Sequence, residues 1–247
     1  MTWVAEAFGP WYPSVYPHRD RAEAVQLASQ LDGRIGLAGR RVVDIGCGTG
    51  RHLVPFDVLG ARACGLDLSE HLLEEARRVR SESGAGWPLV RGDMRRLPFA
   101  DAAFDVALSL FTSFGYFDEH EDREQLAEAA RVVDSGGHHI LDFLNRDQVL
   151  AHPTPETSRT SGEFRIDERR SFVGNDRRVV KAVRITRERT SEVVAEYEER
   201  VTLYADRELR DLLRDARLRV VEEWGDYEGG PFDASTSPRH VFLSVKE

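Results

Sequence analysis

Sulfur and lysine are scarce in this chain. Two cysteines, Cys47 and Cys64, stand among 247 residues, and neither belongs to a C-x-x-C pair. That spacing argues against a disulfide framework and a zinc site, and points to a reducing, cytoplasmic compartment. Only Lys181 and Lys246 are lysines among the 34 Lys and Arg residues. Coding bias explains such an arginine excess more simply than an arginine-specific function. Long apolar runs are absent too, and none approaches the ~20 residues that span a bilayer. The first residues lack a basic segment followed by an apolar core, so we read no membrane span and no secretory leader. Basic excess is also missing, because the net charge is -9. Each phosphate contact needs a cation, so the balance weighs against a nucleic-acid partner.

What remains is an ordinary globular mixture, with 41% hydrophobic and 31% charged residues. It excludes wholesale disorder and a fibrous chain. The length accommodates one α/β domain with an elaboration, or two small domains. No internal repeat or low-complexity segment is visible.

Residues 1–18 are aromatic and turn-rich, with Trp3, Phe8, Trp11, Tyr12 and Tyr16 among Pro10, Pro13 and Pro17. Residues 19–32 carry a helical period through Ala22, Val25 and Leu31, and Gly33 is its expected stop. Short buried strands are predicted at 40–46, 61–68, 89–94, 104–111 and 138–145. Helices are predicted at 70–80, capped by Ser69, and at 122–133, ending before Ser135, Gly136 and Gly137. Strands alternating with helices imply right-handed crossovers and a doubly wound parallel sheet. The pattern changes near residue 151. Residues 151–162 read as a Pro/Ser/Thr linker. Three strand-like runs follow at 163–173, 177–189 and 192–204, the first two separated by the turn Gly174-Asn175-Asp176. They read as an antiparallel meander. A helix at 206–216 and strands at 217–225 and 240–247 resume the α/β pattern.

Chemistry concentrates at VVDIGCGTGRH, residues 42–52. Gly46, Gly48 and Gly50 let the backbone bend and approach a ligand without a Cβ clash. The turn follows a central strand, where open α/β sheets bind ligands. A tight strand–helix connection would look the same on this feature alone. Asp67 then ends the second strand, 23 residues after Asp44. A carboxylate there can accept charge-assisted bonds from two ribose hydroxyls, or serve the helix N-terminus just behind it. A nicotinamide dinucleotide would suit both features, but its fingerprint is G-x-G-x-x-G. Here the glycines run G-x-G-x-G, and position 51 is Arg51.

At these residues the sequence resembles the class I S-adenosylmethionine-dependent methyltransferases. VVDIGCGTG is similar to their first motif and GLDLS to their second. RGDMRRLPF, with Asp93 and Met94, is similar to the adenine-binding motif. The segments FDVALSLFTSFGYF and VVDSGGHHILDF resemble those around their fourth and fifth strands. The likeness covers roughly residues 41–145, in order.

The resemblance implies an α/β, Rossmann-like doubly wound seven-stranded sheet with an antiparallel β insert. Its parts would be an N-terminal helical lid (1–40), an S-adenosylmethionine-binding core (41–150), the β insert (151–205) and the C-terminal part of the core sheet (206–247). It also implies S-adenosylmethionine as cofactor and S-adenosylhomocysteine as product. Asp44, Gly46, Cys47, Gly48 and Gly50 would pack against the amino acid portion and ribose. Asp67 would hold the ribose, and Leu68 would cover the adenine. Asp93 would accept from the adenine amino group beside Met94, with Leu110 and Phe111 lining the same pocket. Aromatic faces attract a sulfonium, and Tyr16 is one candidate from the lid. One departure is Pro55, which is uncomfortable beyond a helix's first turn. The helix after the turn is therefore expected to be short or kinked, which leaves the role of Arg51 open and makes a structural or solvent-bound His52 the simpler reading. Cys47 reads as a packing residue.

The expected reaction is methyl transfer by in-line displacement to a nitrogen or oxygen of a small-molecule acceptor. Residues 110–117 (LFTSFGYF) lack the Asn/Asp-Pro-Pro-aromatic signature of enzymes that methylate adenine or glutamine amides, and lack a catalytic cysteine. A protein or RNA acceptor, or a non-catalytic cofactor-binding domain, is the alternative. Substrate-site candidates are Trp11, Thr112, Ser113, Tyr116, Asn145, Tyr227 and Arg239. Tyr116 and His240 are the candidate catalytic groups, although a hairpin residue of the last strand explains His240 more simply. His138 and His139 alternate to opposite faces of a strand. No carboxylate–histidine cluster with metal spacing is seen, and no metal is expected. A monomer or homodimer with no membrane partner completes the reading.

Overall fold

The computed structural model describes residues 7–16, 21–175 and 177–247. Trp3, Pro17 and Asp176, used above, lie outside the described residues. Helix α1 (Tyr12–Val15) and helix α2 (Arg21–Ile35) precede the sheet. Then follow β1 (Arg41–Ile45), α3 (Leu53–Val58), β2 (Arg62–Asp67), α4 (Glu70–Ser83), β3 (Leu89–Arg91), β4 (Phe104–Ser109), α5 (Glu119–Val132) and β5 (Val133–Leu144). After α6 (Arg146–Ala151) come β6 (Glu156–Ser161), β7 (Phe164–Val173), β8 (Arg178–Arg187) and β9 (Glu192–Thr202). The chain closes with α7 (Asp206–Asp215), β10 (Leu218–Trp224) and β11 (Arg239–Lys246).

Seven strands form the main sheet in the order β10-β11-β5-β4-β1-β2-β3. Strands β1 to β5 pair in parallel, and β11 runs antiparallel to both β5 and β10. Four strands, β6-β7-β8-β9, form a separate antiparallel sheet. The doubly wound reading with an antiparallel insert therefore holds. The period of two along β1 explains the layers. Val42 packs with Leu27 and Leu31 of α2, Phe56 of α3 and Leu73 of α4. Its neighbours Val43 and Ile45 join Leu66, Ala129 and Val132 on the other face. Both faces of this parallel strand are buried from Val42 to Ile45, with Asp44 the one polar residue among them.

Three details depart from the sequence reading. Residues 156–161, read as linker, form edge strand β6, paired antiparallel with β7. Their side chains alternate between exposed and half-buried, with no apolar stripe to announce a strand. Gly33 lies inside α2, and the chain turns instead at Gly36 with φ +62°. Strand β5 begins at Val133, so residues 135–137 belong to it. Pro55 behaves as expected: it sits in the first turn of α3, where N–H groups lack helical partners anyway, and that helix has six residues.

The N-terminal segment, expected to be a lid, packs on the four-stranded sheet. Ala7 and Val15 bury against Ile166, Val183, Ile185 and Tyr197, with Phe8, Trp11 and Tyr16 beside them. A second tie reaches the core, where Ser69 caps α4 and donates its hydroxyl to the Phe8 carbonyl at 2.6 Å. Among the described residues, no helix is long and apolar enough to cross a membrane.

Candidate functional site

A chamber of about 350 Å³ opens at the carboxyl ends of β1, β2 and β4. Its floor is the glycine turn. The amides of Gly46 and Cys47 both donate to the Leu66 carbonyl, at 2.8 and 2.9 Å. Gly46 has φ +79°, and a Cβ there would lie 2.9 Å from Ser113 Cβ, so only glycine fits. Gly48 has φ +56° with open space where a Cβ would point. The backbone is thus bare toward the chamber, as a ligand's close approach requires.

Asp67 closes this turn. Its Oδ2 accepts the Gly48 amide at 2.8 Å, and its Oδ1 accepts the Ser69 amide at 2.8 Å. Each oxygen keeps lone-pair capacity for a hydroxyl donor. Burial pushes its carboxyl up, against the pull of these amides. Asp44 is 1% exposed, and burial pushes its carboxyl up to about 7 although Arg51 pulls it down. Its Oδ2 is buried without a hydrogen-bond partner among the described residues, as are the Arg51 NH2 and the Ser113 Oγ. Buried unpartnered polar atoms are costly. Three of them stand on side chains that line one chamber.

Arg51 is held by two partners. It pairs with Glu23 at 2.6 Å, and its guanidinium lies 4.4 Å from the Phe111 ring centroid. Asp93 is clamped by Arg95 at 2.6 Å, which holds its carboxyl below the usual range. Arg95 also stacks on Phe117. Burial pushes the Cys47 thiol well up, which suits packing and not nucleophilic attack.

The lid supplies the remaining wall with Phe8, Tyr12, Pro13 and Tyr16. The Tyr16 hydroxyl donates to Glu199 and accepts from Lys181, and Lys181 pairs with Glu199 at 2.8 Å. Lys181 and Glu199 face one another across β8 and β9 of the insert. The segment after β4 forms the last wall, with Phe111, Ser113, Tyr116 and Phe117. Gln125 donates to the Ser113 carbonyl at 2.6 Å, and the Thr202 amide donates to the Gly115 carbonyl at 2.7 Å. Phe111 and Thr112 are left-handed, at φ 54° and 64°. Such conformations cost roughly 1–3 kcal/mol each outside glycine, and persist only where the surroundings impose them.

Most of the residues singled out in the sequence meet here. Tyr16, Asp44, Gly46, Cys47, Gly48, Asp67, Leu68, Asp93, Met94, Leu110, Phe111, Ser113 and Tyr116 all line the chamber. Six do not. Gly50 is a turn residue behind it, where a Cβ would press Trp87 at 3.1 Å. Trp11 packs edge-on against Phe164 at 4.7 Å. Asn145 caps α6 and donates to the Ala234 and Ser237 carbonyls. Thr112, Tyr227 and Arg239 are engaged with one another's neighbour, Asp142, behind the Phe111 wall.

His240 is also remote from the lining: it is 2% exposed, bonded to Glu223 at 2.8 Å and stacked on Phe232 at 3.5 Å. The expectation of no carboxylate–histidine cluster needs correcting, because Asp206, Glu223 and His240 converge there. They lie too far apart in sequence for spacing to show it. Arg210 already bridges both carboxylates, so the group reads as an ion-pair network. Phe8, Tyr12, Thr49, Leu72, Arg95 and Phe117 were not anticipated as lining, the role of Arg51 was left open, and His52 was read as structural or solvent-bound.

A family model described as a methyltransferase domain matches residues 42–137. The demethylmenaquinone methyltransferase of Renibacterium salmoninarum is 33% identical over 124 residues, 50% of this chain and 47% of that protein. The chain thus spans less than half of that relative. The cypemycin N-terminal methyltransferase of a Streptomyces species is 29% identical over 230 residues, covering 88% of each chain. Among solved structures, the CcbJ methyltransferase of Streptomyces caelestis superposes with a TM-score of 0.81 at 22% identity, covering 98% of this chain and 99% of that one.

Proposed function

Since this chain belongs to the class I S-adenosylmethionine-dependent methyltransferases, we propose that its chamber binds S-adenosylmethionine and that the protein methylates a small molecule. The observation that carries the reading is the set of buried polar atoms without a hydrogen bond among the described residues, beside the glycine turn: Asp44 Oδ2, whose ion-pair distance to His52 Nδ1 is 4.0 Å, Arg51 NH2 and Ser113 Oγ. An anion, a cation and a hydroxyl placed together match an amino acid group, which bears one charge of each sign. Asp67, with spare lone pairs, suits a ribose, and Asp93 beside Met94 suits an adenine. S-adenosylmethionine, when bound, supplies a methyl group carried on a sulfonium.

The acceptor we propose is an amine. The relative aligned over 88% of both chains carries N-terminal methyltransferase in its name, and that supports nitrogen over oxygen. Transfer would proceed by in-line displacement. Positioning and exclusion of water would supply much of the rate, with the lid aromatics closing the chamber. An N–H acceptor must also lose a proton. Tyr16 lines the chamber, and its phenol is already bonded to Glu199. The acceptor proton would pass to the Tyr16 oxygen as the phenol proton passes to the Glu199 carboxylate. Tyr116, on the same chamber wall, would orient the acceptor.

Calorimetric titration of S-adenosylhomocysteine and NAD tests the reading first. Binding of the former alone, followed by turnover with a panel of primary and secondary amines, is expected. Binding of NAD alone would overturn it. Turnover with phenols or carboxylates but no amine would move the acceptor atom to oxygen.

A further inference from the structure

Behind the chamber lies a polar network that the reaction above does not use. Asp142, in the apolar strand β5, is fully buried. Its Oδ2 accepts the Phe111 amide at 2.7 Å and the Tyr227 hydroxyl at 2.5 Å. Its Oδ1 accepts Arg239 Nε at 2.8 Å, and its carbonyl accepts the Thr112 amide at 3.0 Å. Arg239 NH2 also donates to Thr112 Oγ1 at 2.9 Å. Three of these bonds end on the two consecutive left-handed residues, Phe111 and Thr112, and the other two hold the Asp142 carboxylate itself. Two guanidinium groups lie near the Phe111 ring, Arg51 at 4.4 Å and Arg239 at 5.2 Å from its centroid.

We propose that Asp142, with Tyr227 and Arg239, is the positioning group for the amino acid end of the chamber: it imposes the left-handed backbone at Phe111 and Thr112, and the Phe111 ring aims Arg51 at a ligand carboxylate. This rests on the cofactor reading above. The chemistry is economical. A buried carboxylate left with one lost partner is strongly unfavourable, so all its donors are held in place. Two adjacent strained residues need such an anchor. A cation over an aromatic face is oriented without losing its donors, which leaves the Arg51 NH2 for the ligand.

The test compares S-adenosylhomocysteine with adenosine, which lacks the amino acid, by calorimetry on the full chain. Asp142→Asn is expected to weaken S-adenosylhomocysteine about tenfold or more and leave adenosine unchanged. Adding Thr112→Gly should restore part of the loss, because glycine adopts the left-handed backbone freely. Phe111→Leu leaves the buried carboxylate in place, so it tests the same claim if Asp142→Asn does not fold. It should weaken S-adenosylhomocysteine at an unchanged melting temperature. Equal losses for both ligands, or unchanged S-adenosylhomocysteine affinity in Phe111→Leu, would overturn the inference. Failure of the wild-type chain to bind S-adenosylhomocysteine would instead remove the cofactor reading and this inference with it.

Discussion

The Asp67 carboxylate holds the amide of Gly48 at 2.8 Å, so the end of β2 fixes the turn that follows β1. One side chain thereby shapes the floor of the chamber and lines it. Asp67→Ala should weaken S-adenosylhomocysteine by ~1–3 kcal/mol, the range for a lost bond to a charged group. Asp67→Asn should lose less, because the amide oxygen can still accept from Gly48. Calorimetry on both variants checks the order, and identical affinities for wild type and alanine would take Asp67 out of the site.

Gly48→Val separates binding from folding. A Cβ there would meet nothing within 4 Å, and Gly48 lines the chamber, so a larger side chain is expected to take ligand space. The left-handed φ of +56° adds a strain of roughly 1–2 kcal/mol for any L side chain. The expected result is a modest drop in melting temperature with no detectable cofactor binding. A variant that folds and binds normally would refute the proposed approach of ligand to backbone.

Asp44 makes binding depend on pH. Burial raises its carboxyl from 3.8 to about 7. In the ligand-free protein the folded state holds this proton more tightly than the unfolded chain does. Asp44 alone therefore lowers stability as pH rises from about 4 to about 7. A ligand ammonium favours the ionised form, so binding below about pH 7 must release a proton. Affinity for S-adenosylhomocysteine should rise from pH 6 to pH 8, by at most about tenfold per unit. Titrations in buffers of differing ionisation enthalpy should count the proton. Asp44→Asn should bind more weakly and show no such slope.

Tyr16→Phe tests the proposed proton transfer. The ring stays, with Lys181 still 4.0 Å from its centroid, while the hydroxyl's bonds to Glu199 and Lys181 vanish. With an amine substrate, kcat should fall by roughly 100-fold, the lower end for a lost acid–base group. Cofactor affinity should change little. Glu199→Gln should move kcat in the same direction. If both variants keep wild-type kcat while KM for the acceptor rises, Tyr16 shapes the lid and takes no proton.

Local order along the chain determined much of this protein. The period of two in residues 41–45, the glycines at 46, 48 and 50, and the Ser69 cap each act within a few residues, and their chemistry is visible without neighbours. With the strand–helix alternation they pointed to the doubly wound sheet and to the glycine-turn floor of the chamber. Tertiary structure alone decided the rest. Tyr227 and Arg239 read as substrate groups because polar side chains near a final strand commonly face solvent or ligand. Asp142, 97 residues before Arg239, captures both behind the wall. Arg51 was ambiguous until Glu23 and Phe111 fixed its direction. Strand β6 carried no signal, since an edge strand with no buried stripe has no hydrophobic period to read. Buried polar contacts between distant segments depend on which faces the packed sheet brings together, and no local pattern encodes that.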